Sequence, residues 1–324
     1  MMKFEVTSSP HIRGKNHTQR IMLDVILALI PALAVGVWRF GMRAFVVALV
    51  SILAAAAAEW VCGLVLYHRN TVRDLSAVVT GLLLALTLPV TVPYWVAAAG
   101  SVFAVFVVKG LCGGLGKNIF NPALAGRAFL VLLWPVYLVR YTEAGVKPSM
   151  TGSVLDAVTS ATPLHHMQMP ALPEEGLADM FLGNIGGSIG EVCTLALLAG
   201  GIYLIWRGVI SYRIPAAYLG TVAVLTLVFS KGDHAFAWMM YSLLGGGVVL
   251  GAFFMATDYA SSPVTPKGQI FYGVGCGILT VIFRYYGLFP EGVTYAILLM
   301  NACVWAIDSY TAPRRFGTKK GEAA

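Results

Sequence analysis

The chain has 324 residues, of which 58% are hydrophobic and 11% charged, and its formal net charge is +7. Soluble domains carry about 25% charged residues, so this composition, with a mean hydropathy of +0.78, excludes an ordinary soluble fold and implies an integral membrane protein. The basic excess is accounted for by its distribution along the chain, described below, and gives no reason to expect nucleic-acid binding.

A helical span needs roughly 20 apolar residues. Such stretches recur over 21–40, 44–66, 75–88, 93–111 and 123–138, and again over 191–206, 214–230, 236–257, 269–286 and 293–307. The expected fold is therefore an all-α integral membrane protein of about ten transmembrane helices. About twenty polar and basic residues precede the first apolar run, so no cleavable signal peptide is expected. The expected organisation is a cytoplasmic segment (1–20), a first membrane unit (21–139), an extracytoplasmic loop (140–190), a second membrane unit (191–310) and a cytoplasmic tail (311–324).

With the N-terminus inside, the inner segments hold sixteen of the 22 Lys and Arg residues and the outer segments six. Positive-inside bias thus favours cytoplasmic termini. The polar stretch Arg140–Glu191 then lies outside, together with Glu143, Asp156, Glu174, Glu175 and Asp179.

The two membrane units look related. Leu86-Thr87-Leu88-Pro89-Val90-Thr91-Val92-Pro93 interrupts the first, and Met255-Ala256-Thr257-Asp258 leads into Ser262-Pro263-Val264-Thr265-Pro266 in the second. Two five-span repeats must be inverted, because five is odd. Inverted repeats with broken helices are a transporter feature.

Four sites stand out. Asp156-Ala157-Val158-Thr159-Ser160-Ala161-Thr162-Pro163-Leu164 places a threonine hydroxyl just before a proline. Pro163 pushes Thr162 out of the helical region, and Ser160 and Ala161 leave room for a large group, so Thr162 is a candidate for covalent modification. The run Gly113-Gly114-Leu115-Gly116-Lys117-Asn118-Ile119-Phe120-Asn121-Pro122 lets the backbone come close to a flat or phosphorylated ligand, with Asn118 and Asn121 able to read a polar ring edge. It lacks the spacing of a Walker loop. Asp258, an ionisable group at the end of an apolar span, is a candidate for an ion pathway, with Lys267 as a possible partner. His165 and His166 form a fourth, weaker feature, a pair in the outer loop that reads as solvated. Cys62, Cys112, Cys193, Cys276 and Cys303 are scattered without paired spacing. They define no metal or iron–sulfur site and are expected to pack in or beside spans. Arg127 and Asp308 are expected to be interfacial anchors.

Taken together, several stretches resemble the RnfD subunits of the Rnf electron-transport complexes, themselves similar to the NqrB subunits of the sodium-pumping NADH:quinone reductases. They are Ser9-Pro10-His11, the Gly113–Pro122 run with Gly126, Thr159–Leu164, Phe253–Gly268, Pro290-Glu291-Gly292-Val293, and Leu298–Ala302 with Asp308. The resemblance implies a prokaryotic inner-membrane protein that carries FMN joined through its phosphate to a threonine by a separate flavin transferase. The matching acceptor is Thr162, with Asp156, Ser160 and Pro163 around it. The family motif usually reads Ser/Thr-Gly-Ala-Thr, and Ser160 replaces its glycine. The resemblance also implies a second, non-covalent flavin such as riboflavin, for which Asn118 and Asn121 are the candidates. Partners would be the other subunits of an Rnf-type complex and membrane lipid. The chain itself would have no catalytic or metal-binding residues. Electrons would pass between ferredoxin and NAD through sibling subunits, coupled to Na+ or H+ movement. Two alternatives stay open. One is the NqrB-like component of a quinone reductase, whose N-terminal region is usually longer. The other is a non-redox inverted-repeat solute transporter.

Overall fold

The computed structural model describes residues 17–68, 71–142, 145–150, 159–160, 172–173, 176–231, 234–287 and 292–313. Apolar helices dominate it. The first unit holds α1 (Thr18–Phe40), α2 (Met42–Cys62), α3 (Ser76–Thr87), α4 (Tyr94–Val102), α5 (Pro122–Leu133) and α6 (Pro135–Leu138). A short antiparallel pair follows, β1 (Tyr141–Thr142) with β2 (Thr159–Ser160), and then α7 (Leu177–Leu182). The second unit holds α8 (Thr194–Trp206), α9 (Arg213–Val228), α10 (Ala235–Leu244), α11 (Val248–Leu250), α12 (Pro266–Tyr286) and α13 (Val293–Thr311).

Among the described residues, three helical stretches are long and apolar enough to cross a membrane: Thr18–Phe40, Met42–Tyr67 and Val293–Thr311. Ala235–Leu244 with Val248–Met255 makes a fourth if that pair, bent by 58°, is one span. The other apolar helices are shorter, from Ser76–Thr87 to Arg213–Val228. Large apolar side chains cover the exterior, including Leu132 and Trp206 at 81% exposure and Trp305 at 82%. A surface this apolar is stable only against lipid or other protein, and the chain is a multi-pass membrane protein.

Two expected spans are not continuous. The stretch 236–257 breaks at Gly245-Gly246-Gly247, where Gly246 and Gly247 adopt positive φ. The stretch 123–138 breaks at Trp134, ahead of Pro135, whose ring cannot continue the preceding helix. The third span, expected over 75–88, is the 12-residue α3, almost every residue of which is buried. Encased in protein, it has no need of full membrane length.

Irregular backbone inside a membrane protein must find its hydrogen bonds within the protein. After α3 the carbonyls of Leu86 and Leu88 accept from the N–H groups of Gly190 and Ile189 at 2.8 and 3.0 Å. Arg43 Nε donates to Val90 O at 2.9 Å, and Thr91 Oγ1 to Arg140 O at 2.6 Å. The segments leading into α5 and α12 share a device. Asn121 caps α5 by accepting from Ala123 and Leu124 N–H, Thr265 caps α12 by accepting from Gly268 N–H, and each is followed by a proline at the first helical position. This pairing of a polar cap with Pro starts a helix abruptly.

In the first unit α2 lies on α3 and α4, and the π-helical extension of α4 (Phe103–Gly110) lies on α5; in the second, α9 lies on α10 and α12, and α12 on α13. The units join where α1 meets α8 and α5 meets α13. Small residues allow the closest approaches. A β-carbon on Gly273 or Gly277 of α12 would come within 2.8 or 2.6 Å of Ala217 or Thr221 on α9.

Candidate functional site

Polar groups gather at opposite ends of the helices. One end holds the turn before α3, the segment after α4 and the segment before α12. Three helices reach it through π-helical turns, Gly63–Tyr67, Phe103–Gly110 and Gly251–Met255. Such turns carry an extra residue that redirects side chains, and they often sit at functional sites.

At this end Lys109, carried by the π-helical turn after α4, has a side chain only 2% exposed. Its Nζ lies 3.0 Å from Glu59 Oε2 on α2 and donates to Ser76 Oγ at 2.6 Å. Ser76 Oγ and its N–H both donate to Asp74, which fixes the start of α3. An unpaired charge in this setting would be very costly, and the pair with its hydroxyl partner removes most of that cost.

Beside this pair lies a cavity of about 80 Å³ lined by Asn118, Asn121, Thr257 and Asp258 and walled by Phe253 and Phe254. Organic ligand sites span roughly 300–1,000 Å³, so in this conformation the cavity admits water or a small ion. Asn118 Nδ2 donates to Phe120 O at 3.1 Å and, at 3.5 Å, faces Asp258 Oδ2. Asn121 donates to Met255 O at 3.0 Å while its oxygen caps α5. Ser261 Oγ donates to Asp258 Oδ2 at 2.8 Å. The structure thus brings Asn118, Asn121 and Asp258, expected at separate sites, to one cavity. Lys267 is exposed and forms no ion pair with Asp258.

The opposite end carries β1, which pairs with β2. Tyr141 is in register with Ser160 and Thr142 with Thr159. Thr162, Asp156, Pro163, His165 and His166 lie outside the described residues. Beneath β1, Arg127 of α5 is 4% exposed and lies 3.6 Å from Glu191. Arg127 is therefore not an interfacial anchor. It sits one turn inside α5 and faces a carboxylate from the other unit. Asp308 is a surface residue that accepts from Val264 N–H. Three cysteines pack in the interior as expected, whereas Cys112 and Cys303 are exposed.

The sequence reading missed Glu59, Lys109, Arg284 and the pairing of Arg127. The signal was present: each is a charged residue inside an apolar stretch, which is a functional flag in a membrane protein. Counting charges by loop assigned Lys109 and Arg284 to a side and passed over their burial.

These features define a helical, multi-pass membrane protein with ionisable groups buried at both ends. A family model described as NQR2, RnfD, RnfE matches residues 5–317, and the chain belongs to that family. It is 46% identical over 324 residues to the D subunit of the Na(+)-translocating ferredoxin:NAD(+) oxidoreductase complex of Acetobacterium woodii, covering 98% of this chain and 97% of that one. It is 42% identical over 327 residues, 98% and 97% of the two chains, to the D subunit of the proton-translocating ferredoxin:NAD(+) oxidoreductase complex of Clostridium ljungdahlii. Against the D subunit of the ion-translocating oxidoreductase complex of Stutzerimonas stutzeri it is 37% identical, with 94% and 93% covered.

Proposed function

We propose that this chain is the membrane flavoprotein subunit of an Rnf-type, ion-translocating ferredoxin:NAD oxidoreductase. The observation that carries the reading is 46% identity over nearly the whole of the Acetobacterium woodii protein so named. The chain works as one part of that enzyme and acts only with its siblings. It carries FMN on Thr162, attached outside the inner membrane by a flavin transferase. The phosphodiester keeps the flavin from dissociating, and the flavin supplies the redox chemistry. What the protein supplies is position. The pairing of Ser160 with Tyr141 supports this, because it fixes the backbone two residues before the acceptor.

Ten spans in two inverted five-helix repeats, with both termini cytoplasmic, fit the packing of α2 on α3 and α4 beside that of α9 on α10 and α12. They also fit the separation of Lys109 and Asp258 from β1 at opposite ends. Asp258 serves the ion pathway: its carboxylate lines the small cavity and is held by Ser261 and Asn118. A second, non-covalent flavin at Asn118 and Asn121 requires the cavity to widen and both amides to release their present partners.

Inverted membrane vesicles from a strain lacking the gene should lose ferredoxin-dependent NAD reduction and the accompanying cation uptake, and a plasmid copy should restore both. The Asp258→Asn copy should restore assembly but only a slowed, ion-dependent rate. Vesicles that keep both activities without the gene would rule out the reading, and an Asp258→Asn copy at full rate would remove Asp258 from the pathway.

A further inference from the structure

Arg284, two residues before the end of α12, is 6% exposed. Its Nη1 donates to Ser242 O at 2.5 Å, and its Nη2 to Gly245 O at 2.8 Å and Gly246 O at 3.2 Å. These carbonyls form the open C-terminal end of α10. They lack helical partners because the chain breaks over Gly245–Gly247. Gly247 has φ +67°, and a β-carbon there would meet Glu191 Oε1 at 2.3 Å, so the carboxylate rests directly on the break. Ser188 Oγ donates to the other oxygen of Glu191 at 2.9 Å.

Among the described residues Arg284 has no carboxylate within ion-pair distance, and Glu191 is the ion-pair partner of Arg127. The Nε of Arg284 is also buried without an acceptor among the described residues. Capping a helix end does not require this. At the end of α3 neutral main-chain N–H groups serve the carbonyls of Leu86 and Leu88. A buried cation short of partners is expensive, and a membrane protein retains one for function.

The oxygens that Arg284 holds, three carbonyls reaching one charged group with a carboxylate against the neighbouring Gly247, are the oxygen donors that a hard cation takes. Unwound carbonyls at half-helix C-termini hold alkali ions in transporters. A guanidinium and a metal ion on the same oxygens exclude each other. The site is also not isolated. Thr280, Cys276 and Tyr272 continue inward from Arg284 on the same face of α12 at four-residue steps, all buried, with Tyr218 OH 2.6 Å from Thr280 Oγ1.

We propose that the end of α10 is an alkali-cation site, formed by the carbonyls of Ser242, Gly245 and Gly246 with Glu191 as the balancing charge, and that Arg284 fills it as a tethered cation. Cation entry and withdrawal of the guanidinium are then a single event. The inference builds on the reading that this protein moves a cation, but its test is binding and does not depend on transport.

The test compares the assembled complex carrying Arg284→Met with wild type, each purified in choline chloride and titrated with NaCl or LiCl. The readout is the temperature at which this chain is lost from the soluble fraction, followed as a gel band. With the tethered charge gone, the variant should gain a saturable stabilisation by the alkali ion, on the order of 5 °C at roughly a hundred times the dissociation constant. Wild type and Arg284→Lys, which keeps a charge in the cage, should show no comparable gain. If Arg284→Met accumulates only when cells and buffers contain the alkali ion, that rescue supports the site equally. A variant equally stable, or equally absent, with choline and with alkali ion would make Arg284 a structural cap and overturn the proposal. Failure of the vesicle assay alone would overturn the translocation reading and leave this binding result standing.

Discussion

Replacing Thr162 with alanine should remove the covalent flavin from this chain completely while leaving the chain in the membrane. The expected loss is total, because the phosphodiester has one acceptor oxygen and alanine offers none. Thr162→Ser keeps a hydroxyl, and restored attachment in that variant would identify the oxygen as the requirement. Insertion should be unaffected, since residue 162 belongs to the polar stretch Arg140–Glu191, between the apolar runs of the sequence. Mass analysis of the peptide containing residue 162, taken from complex matured with its flavin transferase, checks this. FMN found on the chain of a Thr162→Ala complex would move the acceptor elsewhere.

The second large effect is on assembly. Lys109 and Glu59 are 2% and 3% exposed at their side chains and 3.0 Å apart. Removing one partner of a buried pair strands the other charge, at about 3–5 kcal/mol, a large share of a membrane protein's margin. Lys109→Met or Glu59→Leu alone should therefore cut the amount of this chain in membranes by an order of magnitude or more. The double variant Lys109→Met with Glu59→Leu leaves no stranded charge and should recover most of it. Quantitative immunoblotting of membranes decides. A double variant no better than the singles would mean that Lys109 stabilises mainly through Ser76 Oγ, the other group its Nζ reaches.

Much of the fold was legible because the bilayer imposes a simple code. Apolar runs near membrane length become helices, and the expected stretch 21–40 is α1 while 293–307 falls within α13. The irregular segments around Pro89 and Pro263 were legible as well, from proline and small polar residues interrupting those runs. The break at Gly245–Gly247 was not read, although three consecutive glycines announce it. Averaged hydropathy treats glycine as neutral and so passes over it.

Interactions within the site were harder to read, for a physical reason. Lys109 finds Glu59 across 50 positions, and Asn118 meets Asp258 across 140. No local pattern encodes such pairings, which arise only when α2 closes on the end of α4 and the two units meet. Sequence can flag a charge in an apolar run, but only the packing shows whether it is paired, as Lys109 is, or left short of partners, as Arg284 is.

The central claim is that this polypeptide is itself a covalent flavoprotein, and in-gel fluorescence tests it most directly. The chain, expressed with its flavin transferase, is denatured, washed free of non-covalent flavin and separated by denaturing electrophoresis. A band that fluoresces under ultraviolet light at the position of this 34.6 kDa chain is the predicted result. A dark band at that position, in preparations that catalyse ferredoxin-dependent NAD reduction, would contradict the account.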